Sequence, residues 1–339
     1  MLNSDYKKSS EELFTRIPEI RNEWFNFVDD KSLNEDHKER YQSFFDFCQE
    51  NLDEECEKYM YNIKPGFFYF TDSTEFNAYA DLQNKTYIIG LNRGVIDDLS
   101  NFFLSKNIFS LHNELVKFLD LDKKIWARKK VHLNYLMFQN FNQFLYYHEL
   151  GHLIQFSNSD SNKKDEKYLI SSNNFDFKSH IDEIDADLHG ANSIVFHIDD
   201  FFNKLEIELQ TNETLLNLLS CSVAAILSYF LFLVKDEDSL YIKDSDHPHP
   251  IIRVLYITTT MLGCLKKQKK QIDFDENDII KESIKICEFL FVESPDTMPK
   301  HKKILEENLT EILEYIEEMF SEMQKYPYLV SNTVHKRML

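Results

Sequence analysis

Residues 144–156 read FLYYHELGHLIQF, and no other stretch of the chain restricts its fold as much. The flanks are apolar enough for a buried helix, yet His148, Glu149 and His152 sit among them. Residues four apart share a helical face, so His148 and His152 can present both imidazoles to one Zn²⁺ ion. Glu149, adjacent to the first histidine, can then act as general base on an attacking water. Such a site takes three protein ligands and keeps a fourth position open, so the fold must bring another ligand against this helix. Gly151 is intrinsically poor for helix and points to close packing at that turn.

An extended motif with a third histidine shortly after the second is absent, since Gln155 and Ser157 stand where it would continue. The next candidates lie in HIDEIDADLHGA (180–191). Glu183 and Asp187 are four apart and share a face. Glu183 can complete a two-His, one-Glu set, while Asp187 can accept the other N–H of a ligand histidine and fix its tautomer. Asp185 or Asp187 is the next choice should Glu183 not be a ligand. Asp182, Asp185 and His189 read as solvated positions on the same helix.

Periodicity around these motifs predicts an α+β chain, mostly α. Residues 1–64 are helical and amphipathic. Over 66–92 the period switches, with FFYF and TYIIGL as short strand-like runs separated by the turn-like DLQNK, and with a strand over 87–91. Helices are expected over 134–157, from near Ile181, over 215–234 and from about Ile251, with acidic amphipathic helices at the C-terminal end. A polar Asn- and Ser-rich stretch, 157–179, is the clearest long loop. Only 6 glycines and 7 prolines in 339 residues suit long helices with few tight turns.

HExxH followed by ExxxD resembles the gluzincin metallopeptidases, more specifically the group holding the CAAX prenyl proteases. FNAYADLQNKTYIIGLNRGVIDDL (76–99) is similar to the hairpin ahead of the zinc helix in that group, and HPHPIIRV (247–254) to its late HP-x4-R element. That group carries several membrane spans where this chain has at most one, and Lit-type phage-exclusion peptidases are similar in motif arrangement and size. The resemblance covers scattered parts of 75–255. It implies a zincin-like catalytic domain over 65–265, flanked by helical regions at 1–64 and 266–339. It further implies one Zn²⁺ held by His148, His152 and Glu183, and a protein or peptide substrate. His247 or Arg253 would donate to the oxyanion of the reacting peptide. An extended substrate could pair with an exposed strand, expected at 87–91. Asn77 is either a group that positions substrate backbone or a turn residue.

A formal charge of −20 repels a phosphate backbone, so nucleic acid is not an expected partner. The basic runs at 123–130 and 266–270 read as solvated faces. Five widely spaced cysteines without a C-x-x-C pair argue for reduced thiols. With no apolar signal-like core at the N-terminal end, a cytoplasmic location is the expectation. The uncharged run 215–234 is long enough to span a membrane, and is read first as a buried core helix and second as a membrane-docking one. Two other readings stay open: a zincin-fold regulatory protein with little turnover, and a protease anchored by 215–234.

Overall fold

The computed structural model describes residues 5–105, 107–159, 175–233, 239–270, 274–291 and 297–337, with the side chains of 55 and 334–337 excepted. Most of the polar loop expected over 157–179 and residues 234–238 lie outside the described residues. Helices α1 (Asp5–Arg16), α2 (Glu35–Glu50) and the one-turn α3 (Cys56–Lys58) lead into strands β1 (Gly66–Thr71), β2 (Ala78–Gln83) and β3 (Thr86–Asn92). Short helices α4 (Arg93–Leu99) and α5 (Ile108–Leu111) precede α6 (Val116–Lys129). The helical body is α7 (Leu133–Asn158), α8 (Phe177–Asn203), α9 (Asn212–Leu233), α10 (Pro250–Gln268), α11 (Glu276–Leu290), α12 (Thr297–Met323) and α13 (Val330–Arg337). The chain is thus α+β and mostly helical.

Helix α7 is buried on almost every side from Phe144 to Gly151, as a helix hydrophobic all round must be. It packs against α8 and α9 on one side and against β2 and β3 on another. The start of α8 is set by Asp176, whose side chain accepts the Lys178 N–H. One continuous core runs from Tyr6 and Phe27 near the N-terminal end to Met319 and Val330 near the other. All five cysteines are free thiols.

The sheet corrects the expected edge. Its strand order is β1-β3-β2, so the run over 87–91 is the central strand, parallel to β1 and antiparallel to β2. The apolar, β-branched TYIIGLN is buried along most of its length, which suits a strand flanked on both sides. The edge is the more polar AYADLQ, three residues of which were read as part of a turn. The turn itself is only Asn84 and Lys85, both at positive φ, and it sets Gln83 opposite Thr86. The outer side of β1 is covered: the Phe68 N–H donates to Gln49, the Phe70 N–H to the Tyr6 hydroxyl, and the Phe25 N–H to the Phe70 carbonyl. Among the described residues the open edge therefore belongs to β2.

Helix α9 is long and apolar enough to cross a membrane, but 78% of its most apolar stretch is buried within the protein. It packs against α7, α8, α10 and α11.

At the start of α10, His249 is fully buried, its Nδ1 accepts the Ile251 N–H, and Pro250 follows at a position that needs no N–H. Burial, then the neighbouring His301, holds the His249 imidazole down to about 4, against an ordinary value of 6.5. A proton would destroy the cap acceptor and set a positive charge at a helix N-terminus. Folding thus favours the neutral form, a contribution that is complete above pH 6.5 and lost as pH falls from there toward 4. Over that window the unfolding free energy should lose about 2–3 kcal/mol through this residue. Urea unfolding across the window checks this: His249→Asn, which keeps a cap acceptor without titrating, should show a flatter dependence than the parent chain.

Candidate metal centre

The two central helices cross where the motifs lie. A Cβ on Gly151 would stand 2.9 Å from the Ala186 Cα, so the backbones of α7 and α8 meet with only hydrogen between them. That crossing sets Glu183, one turn before Ala186, against the histidine face of α7. Gly151→Val would push the helices apart, costing about 1–3 kcal/mol and separating the ligand residues. Urea unfolding and metal binding of this variant should both show the loss.

His148, His152 and Glu183 form the cluster of metal-ligating side chains found among the described residues. His152 Nε2 lies 3.3 Å from His148 Nε2 and 3.3 Å from Glu183 Oε1. His148 Nε2 lies 3.6 Å from Glu183 Oε2. Ligand atoms about 2.0–2.1 Å from a tetrahedral ion stand about 3.3–3.4 Å from one another, which the two 3.3 Å separations from His152 Nε2 match. Glu183 Oε2 is a buried carboxylate oxygen without a hydrogen-bond partner, with the Arg253 guanidinium as the cation beside it. Two imidazoles and a carboxylate are also the donors that zinc takes.

The groups behind the cluster fix how it faces. His148 Nδ1 lies 2.9 Å from Asp187 Oδ1, though off the line of an ideal hydrogen bond. Asp187 is fully buried and accepts Arg253 Nε at 2.8 Å, Arg253 Nη2 at 2.7 Å and the Tyr256 hydroxyl at 2.5 Å. Burial acts to raise its carboxyl, but Arg253 and His148 together outweigh burial and hold it below the usual range. Arg253 Nη1 also lies 3.3 Å from Glu183 Oε2. Burial opposes the charge on Glu183 too, yet His247, Arg253 and His152 together keep it well below an ordinary glutamate. His152 Nδ1 meets Gln155 Oε1 at 3.0 Å. Burial alone would lower His152, but Glu183, with Glu149 and Gln155, more than offsets it and raises the imidazole to about 10.

Glu149 is buried beside the cluster, and burial pushes its carboxyl up, partly offset by His148 and His152. His247 is about half exposed beside Glu183, with Nε2 3.4 Å from Glu183 Oε1 and Nδ1 2.8 Å from Asp246. The structure thus brings together His148, Glu149, His152, Glu183, Asp187, His247 and Arg253. Asn77 stands exposed at the head of β2, where its carbonyl accepts the Asn92 N–H. Among the described residues no hydrogen bond or ion pair joins it to the cluster.

Asp182 and Asp185 correct the sequence reading. Both are buried rather than solvated, because the chain around α13 covers that side of α8. Asp182 accepts the Tyr328 hydroxyl at 2.7 Å, and Asp185 accepts the N–H groups of Val330 and Ser331 at 2.7 and 3.0 Å. The His189 ring is half-buried against Tyr61 and Tyr147. Gln155 and Tyr256 were not anticipated as parts of the site. Each lies three residues beyond a motif residue, His152 and Arg253, and that helical spacing was the available signal. Comparison of the chain with protein-family models, with curated proteins and with solved structures finds no match to any of them.

Proposed function

We propose that this chain is a zinc-dependent endopeptidase of the gluzincin type, acting on a protein or peptide substrate. The observation that carries the reading is the cluster of His148 Nε2, His152 Nε2 and the Glu183 carboxylate, with Glu149 next to His148: His152 Nε2 lies 3.3 Å from His148 Nε2 and from Glu183 Oε1, and His148 Nε2 lies 3.6 Å from Glu183 Oε2. His148, His152 and Glu183 would hold the ion. When bound, zinc supplies Lewis acidity and lowers the pKa of water at the site.

Glu149 accepts a proton as water attacks the scissile carbonyl and returns it to the departing amine nitrogen. Its raised pKa brings it nearer the operating pH, where a base that must also give the proton back works best. His247, about half exposed beside Glu183, would donate to the oxyanion. Arg253 has its nitrogens turned to Asp187 and Glu183 and works by holding those two carboxylates. An extended substrate would pair with the edge of β2, on a strand packed against α7, and Asn77 at its head would bind substrate backbone through its side-chain amide. The resemblance to Lit-type peptidases extends the proposal to phage exclusion. Incubation with an unfolded protein should yield fragments, a chelator should stop the reaction and zinc should restore it. Cleavage that persists after complete metal removal counts against the proposal.

A further inference from the structure

The amide of Gln155 has only one orientation open to it. Its Nε2 donates to the Asp182 carbonyl at 2.9 Å and to Asp185 Oδ2 at 3.0 Å, and a backbone carbonyl can only accept. Oε1 is thereby turned toward His152, 3.0 Å from Nδ1. A carbonyl oxygen there requires a proton on Nδ1, so the proton that His152 gives up to a metal comes from Nε2, whose lone pair then faces His148 and Glu183. Asp185 is itself held from the other end of the chain. The N–H groups of Val330 and Ser331, in the first turn of α13, converge on its two oxygens. The same segment is tied to α7 through Asn158, which donates to the Tyr328 carbonyl and the Thr333 hydroxyl.

We infer that Gln155 is a positioning residue that fixes the tautomer of His152. Through Asp185 the segment 328–333 then becomes a working part of the metal centre rather than an appendage to it. The inference rests on the metal-centre reading above.

The test is the Co²⁺ affinity of the full-length chain, measured by competition with a chelator, with the visible absorption of bound cobalt as a second readout. Gln155→Leu removes the acceptor, and Asp185→Asn, which is isosteric, sets an NH₂ against one of the donors of Gln155, Val330 and Ser331 and so loosens the hold on the amide. Each should weaken Co²⁺ binding about 10–100-fold and alter the cobalt spectrum, in protein that circular dichroism shows to be folded. Gln155→Glu keeps an oxygen toward His152 while losing the donor to Asp185, so it should retain affinity within about threefold however much it destabilises the fold. That separates orientation of the ligand from general support. Affinities of Gln155→Leu and Asp185→Asn within about twofold of the parent, or a loss in Gln155→Glu as large as in Gln155→Leu, overturn the inference alone. A parent chain that takes up no Co²⁺ overturns the metal centre, and this inference with it.

Discussion

Glu149→Gln should lower peptide hydrolysis by about 10²–10⁴-fold while metal content stays unchanged. The amide has nearly the shape of the carboxylate but cannot take a proton from water. Glu149 is not among the three clustered ligand atoms, so its replacement leaves the triangle of His148, His152 and Glu183 intact. Removing a buried carboxyl whose charge burial opposes should not cost the fold its stability. The check is hydrolysis and metal content measured on the same preparation. Loss of both together would make Glu149 a structural or ligating group, and full activity in the glutamine variant would remove it from the chemistry.

Arg253→Leu should be the most destabilising single change at the site, costing about 3–5 kcal/mol in urea unfolding. The guanidinium serves two buried carboxylates at once, making a paired contact to Asp187 and lying 3.3 Å from Glu183. Leucine could fill part of the space above Phe230, over which the guanidinium now lies at 4.9 Å from the ring centre. It would leave Asp187 with one positive partner fewer in a fully buried position. Arg253→Lys should recover only part of the loss, because a single ammonium cannot reproduce the two-pronged contact. A cost below about 1 kcal/mol, typical of an exposed ion pair, would mean that the carboxylates do not depend on Arg253.

The parts of this site that were legible in the sequence are those written into a single helix. Two histidines four apart, and Glu183 and Asp187 four apart, declare their shared faces through helical periodicity alone. Gly151 announced a close approach but not its partner, Ala186, which only the crossing of α7 and α8 supplies. The misread positions were decided by contacts across the fold. Asp182 and Asp185 look like solvated positions until the chain near Val330, some 145 residues later, covers them. Gln155 looked like the residue that ended a motif, because the meaning of its amide depends on Asp185. In the sheet, composition marked 87–91 as a strand, yet which strand is the edge depends on how β1 crosses to the far side of β3. Helix α9 shows the same limit from the other direction. An uncharged run of that length suits a lipid or a protein interior equally, and its neighbours α7, α8, α10 and α11 are what bury it here.

The most direct test of the central claim is the metal content of the purified chain, prepared without chelator at neutral pH. The parent chain should carry about one zinc ion per molecule, and Glu183→Ala and His152→Ala should each lose it while remaining folded. A folded parent chain that neither contains zinc nor takes it up when supplied would contradict the account, since nothing else proposed here gives two histidines and a glutamate a reason to share one buried triangle.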